Sequence, residues 1–185
     1  MIVIGLTGGI GSGKSTVSKF ASEYGFEVIN MGDMVRKKTI KQYSEITPDN
    51  IFKTMVSIRK ENGEDAVAKL CLSQINSSKK SVIFIDGIRS VHEINFFKTI
   101  AYVKLLSIQM SKQNRKKLLL ERKRIDYPIN DNLFDKRDDI EVKLGISNII
   151  NQSDKVIYND NLSLVQLKQI AFNVFSKWDN EYNEK

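Results

Sequence analysis

The stretch Gly8-Gly9-Ile10-Gly11-Ser12-Gly13-Lys14-Ser15 fits the pattern G-x-x-x-x-G-K-[ST] at every fixed position. A β-branched run, Met1 to Leu6, leads into it, and Lys14 to Tyr24 leaves it with helical character. A strand that feeds a helix through such a turn constrains the architecture more than any other feature of the chain. The glycines let the backbone curl until successive N–H groups face one point, where side chains would intrude. The helix that follows aims its positive end at the same point, so the segment is suited to an anion such as a phosphate chain. A glycine turn meeting the pattern by accident is expected in roughly one of 150 unrelated chains of this length. The strand–turn–helix context argues against accident here.

The remaining pattern agrees with a parallel α/β fold. Glu27 to Asn30 reads as a second strand, Ser81 to Asp86 as a third, Ala101 to Gln109 as a fourth and Lys155 to Tyr158 as a fifth. The third is continuously apolar, as in strands buried on both faces of a parallel sheet. Helices are expected from about Gly32 to Lys41 and from Thr47, as N-cap before Pro48, to Gly63. A further helix is expected from Glu64 to Ser77, and Ser90 with Glu93 reads as a capping box opening a short one. Ser111 to Arg124, Asn132 to Asn151 with Gly145 as a weak point, and Leu164 to about Trp178 complete the helical set. The alternation predicts a three-layer α/β sandwich around a five-stranded parallel sheet, in one domain over residues 1–185.

Composition adds a location for charge. Of 29 Lys and Arg residues, eight lie between Lys104 and Arg124, beside one acid, Glu121. That segment holds the whole excess of +7; the rest is balanced, 21 against 21. A local basic patch implies an anionic partner. Lys112 to Arg124 contains no aromatic residue, which disfavours base stacking on nucleic acid, although phosphate-only contact to RNA stays open. Lys112, Lys116, Lys117 and Lys123 are expected as a solvated helix face. A single cysteine, Cys71, forbids an intrachain disulfide, and no apolar run approaches the roughly 20 residues needed to span a bilayer. With no signal-peptide pattern at the N-terminus, a cytoplasmic location and no membrane partner are expected. His92 reads as a surface residue, Cys71 as a small core residue, and Phe175 and Trp178 as packing.

Lys14 is placed to reach β- and γ-phosphates and the Ser15 hydroxyl to ligate Mg²⁺. The matching acid is Asp86, which ends Val82-Ile83-Phe84-Ile85 and suits a Walker-B role. Since ligands bind at the carboxyl ends of parallel strands, Arg36 and Arg89, after the second and third strands, should face the cavity holding Lys14. Two guanidinium forks there suit a second phosphate. No Asn-Lys-x-Asp occurs and Gly87 follows Asp86 directly, which speaks against a signalling GTPase.

At these residues the chain resembles nucleoside monophosphate kinases. Gly32-Asp33-Met34-Val35-Arg36 is similar to the adenylate kinase segment Gly-Asp-Met-Leu-Arg, and Asp86-Gly87-Ile88-Arg89 to Asp-Gly-Phe-Pro-Arg. Lys136-Arg137-Asp138-Asp139 resembles the lid-closing basic–Asp-Asp segment of that family. Thr47-Pro48-Asp49-Asn50, Gly63 to Leu72 and Leu144-Gly145-Ile146 resemble blocks of an archaeal family related to adenylate kinases. The run Gly5 to Val17 is very similar to the opening of dephospho-CoA kinases, which carry Asp-x-Asp where this chain has Asn30-Met31-Gly32-Asp33.

The resemblance implies an ATP- and Mg²⁺-dependent kinase with AMP as first acceptor. Gly8 through Thr16, with Arg122, would hold ATP. Met31, Gly32, Asp33, Arg36, Gly87 and Arg89 would hold the acceptor. Lys14, Arg36, Arg89, Arg122 and Arg137 would stabilise the transferring group, and Ser15 and Asp86 the metal. Residues 32–77 would form a helical acceptor-binding region and 112–140 a short lid. Three departures stand out. Met31 replaces the family's Thr near the acceptor base. Leu118 falls where the first of two lid arginines belongs, leaving Arg115 or Arg124 as substitutes. A four-cysteine lid zinc site has no counterpart. Transfer to a ribose hydroxyl with Asp33 as base, and a non-catalytic nucleotide sensor, are the alternatives; the oligomeric state stays open.

Overall fold

The computed structural model describes residues 1–120 and 131–184. In chain order the elements are β1 (Ile2–Thr7), α1 (Lys14–Tyr24), β2 (Glu27–Asn30), α2 (Met31–Tyr43), α3 (Pro48–Asn62), α4 (Ala66–Lys69) and α5 (Leu72–Ser77). They continue with β3 (Val82–Asp86), α6 (Val91–Ile100), β4 (Tyr102–Gln109), α7 (Lys112–Leu120), α8 (Asp131–Lys143), α9 (Ile146–Asn151), β5 (Lys155–Tyr158) and α10 (Leu164–Asn183). The sheet order is β2-β3-β1-β4-β5, and every pairing is parallel. β1 and β3 are buried along their full lengths, as their apolar sequences require of inner strands. The five expected strands and the three-layer fold are present.

Alternation along the strands divides the core into two layers. Ile2, Ile4, Leu6, Phe84 and Ile108 face α1 and α10, where Phe20, Phe175 and Trp178 pack. Phe175 makes edge-on contacts with Tyr24, Phe26 and Phe84. Val3, Ile83, Ile85 and Leu105 face the other way, toward α2 to α6 and α9. Cys71 is wholly buried in that second layer, and His92 is exposed. No helix among the described residues is long and apolar enough to cross a membrane.

Register positions the site. Leu6 pairs with Asp86 and Asp86 with Asn30, so the carboxyl ends of β1, β3 and β2 finish side by side. Gly87 and Ile88 both donate backbone N–H groups to Leu6 O, at 3.1 Å each, which ties the turn after β3 to the start of the glycine loop.

Several helix expectations are corrected. The single helix expected over Glu64 to Ser77 is two short ones, bent at Cys71, whose N–H bonds Ala68 O in a tighter turn. The bend keeps Ala66, Val67, Ala68, Cys71 and Ile75 all against the same core layer. Asn132 to Asn151 is likewise two helices, because Gly145 adopts a left-handed φ of 90° and directs Ile146 and Ile149 inward. The closing helix extends to Asn183. Ser90 does cap α6, but Glu93 does not complete a capping box. Its carboxylate accepts from the Arg89 N–H and from Arg59 instead. Thr47, Pro48 and Gly63 bound α3 as expected.

Candidate active site

The loop between β1 and α1 is shaped by contacts that side chains would prevent. At Gly8 (φ 142°) a Cβ would lie 2.2 Å from Ile108 O, and at Gly13 (φ 105°) 2.6 Å from Asn159 Nδ2. Gly13 stands at the N-cap position of α1, and no side chain caps that helix. The helix N-terminus is thus left without a side-chain cap, as an anion site requires. The Lys14 ammonium is folded back on the loop, donating to Gly8 O at 2.5 Å and Gly9 O at 2.8 Å. Burial pushes its pKa below the ordinary lysine value, while the Glu141 carboxylate opposes that shift.

Asp86 is 5% exposed and accepts from Asn30 Nδ2 at 2.8 Å. Asn30 Oδ1 also accepts the Asp33 N–H, so one side chain caps α2 and fixes the acid. Burial drives the Asp86 pKa up, and Lys14 and the Ser18 hydroxyl pull it down. Among the described residues no cluster of three or more His, Cys, Asp or Glu could hold a metal. Ser15 and Asp86 line one cavity and offer a hydroxyl and a carboxylate, hard oxygen donors that suit Mg²⁺ when phosphate oxygens complete the shell.

Two cavities meet here. One, of about 420 Å³, is lined by the glycine loop, Lys14, Ser15, Asn30, Asp33 and Asp86. The other, of about 430 Å³, has apolar walls from Met31, Val35, Ile51, Phe52, Met55 and Ile140. Gly32, Arg36, Gly87, Arg89, Arg137 and Glu141 line both. Arg36 and Arg89 thus line the same cavity as Lys14, and Arg137 joins them from α8. Ile10, Gly11 and Gly13 of the glycine loop line this cavity, whereas Gly8, Gly9, Ser12 and Thr16 are not among the lining residues. Arg122 and Arg124 lie outside the described residues. Arg36 pairs with Asp33 at 2.7 Å, and Arg89 with Glu141 at 2.8 Å.

Among the described residues of the basic segment, several cations are paired within the chain. Lys112 pairs with Asp135 at 2.7 Å, and Arg115 grips Asp138 through both terminal nitrogens, at 2.5 and 3.0 Å. Lys112, Arg115 and Lys116 also stack over Phe134. Arg115 donates to Ile10 O at 3.1 Å, so it, rather than Leu118, reaches the loop from α7.

Some participants had no motif to announce them. Asn159 anchors the loop by donating to Ser12 O at 2.9 Å; its place at the carboxyl end of β5 was the available clue. Glu141 lies one helical turn beyond Arg137, a spacing that puts both on one face of α8. The buried Arg59–Glu93 pair, 2.8 Å apart and 34 residues distant in sequence, left no signal.

Comparison with known proteins bears on the family and the fold. Residues 7–132 match the AAA domain family. The UPF0200 protein of Staphylothermus marinus is 36% identical over 177 residues, covering 96% of this chain and 93% of that protein. The UPF0200 protein of Methanocaldococcus jannaschii is 36% identical, covering 86% and 82%. Among solved structures, a Thermus thermophilus protein superposes with TM-score 0.67 at 15% identity, covering 95% of this chain and 97% of that one. A shikimate kinase from Acinetobacter baumannii superposes with TM-score 0.59, also at 15% identity, covering 95% and 93%. The chain belongs to the UPF0200 family, carries the AAA domain and has the P-loop kinase-like fold.

Proposed function

We propose that this UPF0200 protein is a nucleotide kinase that moves the γ-phosphoryl of ATP to the phosphate of a nucleoside monophosphate, AMP being the first candidate. The observation that carries the reading is the pair of adjoining cavities sharing Arg36, Arg89 and Arg137. A triphosphate laid along the glycine loop would point its γ-phosphate at that shared wall. An acceptor whose flat apolar part fills the second cavity would bring its own phosphate to the same arginines.

The residues divide the work accordingly. Loop N–H groups and the α1 terminus hold the donor phosphates. Lys14, released from the Gly8 and Gly9 carbonyls, pairs with the β- and γ-oxygens. Arg36 and Arg89 hold the acceptor phosphate, and Arg137, with Arg122, neutralises charge on the transferring group. Ser15 and Asp86 would hold Mg²⁺, which would supply neutralisation of phosphate charge when bound. An acceptor phosphate oxygen attacks the γ-phosphorus as the bond to the β–γ bridging oxygen breaks, leaving ADP. No general base is required, because the attacking oxygen is already ionised at pH 7. Asp33, paired with Arg36, orients that arginine and the acceptor.

A panel of AMP, CMP, UMP, GMP and dephospho-CoA, each with ATP and Mg²⁺, tests the reading. Turnover of at least one monophosphate is expected. Turnover of dephospho-CoA alone, abolished by Asp33→Asn, would replace it with hydroxyl transfer. Nucleotide binding without any turnover would leave a sensor.

A further inference from the structure

The glycine loop already holds an anion of the chain's own. Ile10 N–H, which in a phosphate-binding loop faces a ligand oxygen, donates to Glu141 Oε2 at 2.8 Å. The other carboxylate oxygen lies 2.8 Å from Arg89 Nη1, and Glu141 is 2% exposed. The carboxylate therefore spans the two groups assigned above to donor and acceptor phosphates. Its position is set by the face of α8 that carries Phe134, Asp138 and Glu141. Phe134 packs on Ile10 and Leu119, and Asp138 holds Arg115 onto Ile10 O. Both backbone groups of Ile10 are thus tied to α8, one directly and one through Arg115.

A ligand phosphate and the Glu141 carboxylate cannot share these donors. Two anions within hydrogen-bonding reach in a buried site repel strongly. We propose that Glu141 is a built-in stand-in for phosphate, which closes the loop and engages Arg89 until the donor's phosphates displace it and so release Arg89 to the acceptor. This rests on the kinase reading for the identity of the two ligands, and it adds an order, donor before acceptor. Glu141 is a positioning residue: it acts through the loop and Arg89. Because apparent affinity falls in proportion to the fraction of open sites, Glu141 weakens donor binding in the native chain.

The test uses the full chain and inorganic tripolyphosphate, with binding followed by calorimetry, so that no acceptor need be known. Glu141→Gln keeps the shape but not the charge, and Glu141→Ala removes the group; thermal melts verify that both fold. Each is expected to bind tripolyphosphate about tenfold more tightly than the native chain, a gain that damage to the site would not produce. Val142→Ala, at the exposed neighbouring position, should leave affinity unchanged. Equal or weaker binding by both Glu141 variants overturns the proposal, whatever the acceptor. A native chain that turns over no acceptor, with the tenfold gain intact, defeats the kinase reading and leaves the displacement standing.

Discussion

The two cavities meet at Arg89 and Glu141 but are built in opposite ways. The proposed donor side is mostly backbone: nine consecutive residues, Gly8 to Thr16, curl between one strand and one helix. The proposed acceptor side is side chain: Arg36 from α2, Arg89 after β3, Arg59 from α3 and Arg137 from α8 line one cavity, brought together over a hundred residues of sequence. A backbone site is insensitive to most substitutions that leave its glycines intact. A side-chain site changes specificity with each exchange, so it is where relatives of one fold diverge.

Substitutions separate the two sides, beginning where the effect is greatest. Lys14→Ala removes the only side-chain charge that the glycine loop itself contributes. It should lower kcat of phosphoryl transfer by about 10³-fold, with the fold preserved by circular dichroism, since cationic clamps supply effects on that order. A loss under tenfold would mean that the backbone alone carries the donor side. Arg36→Ala should instead raise the acceptor KM by roughly 10- to 100-fold, the loss of one charge-assisted bond, with the ATP KM little changed. A rise in both constants would show that the two sides are not separable.

The smallest effect is on stability, and it has the opposite sign. Asp86 is a carboxylate raised in pKa by burial, so its ionisation costs the ligand-free fold. Below the ordinary aspartate range both folded and unfolded forms are protonated and nothing is lost. As pH rises through the raised folded value the unfolded chain ionises first, and stability declines. Asp86→Asn should therefore stabilise the ligand-free protein at pH 7 and leave its stability unchanged near pH 3, read from denaturant midpoints. Equal stabilisation at both pH values would remove the electrostatic cause.

How much of this was readable follows the same division. The glycine loop was legible because its chemistry is contiguous and its residue types are forced by backbone geometry, as Gly8 against Ile108 and Gly13 against Asn159 show. Asp86, Arg36 and Arg89 were legible because strand ends are predictable and parallel sheets place ligands there. Helix breaks at Cys71 and Gly145 were less so. At Cys71 local propensity favoured continuation and burial decided otherwise, whereas Gly145 was a marked weak point that its left-handed φ turned into a break. The charge excess of the basic segment pointed to an anionic partner, and Asp135 and Asp138 answer part of its described length from within the chain.

The sequence by itself determined the strand–loop–helix unit, the parallel sheet and the presence of cations at its carboxyl edge, because each depends on neighbours in the chain. Only the tertiary structure decided which cations meet and what they hold. Glu141 reaches Ile10 across 131 residues, Arg59 reaches Glu93, and Asn30 steadies Asp86. Such pairs form because sheet register and helix packing bring distant side chains within 3 Å. Spacing along the chain carries no record of that distance.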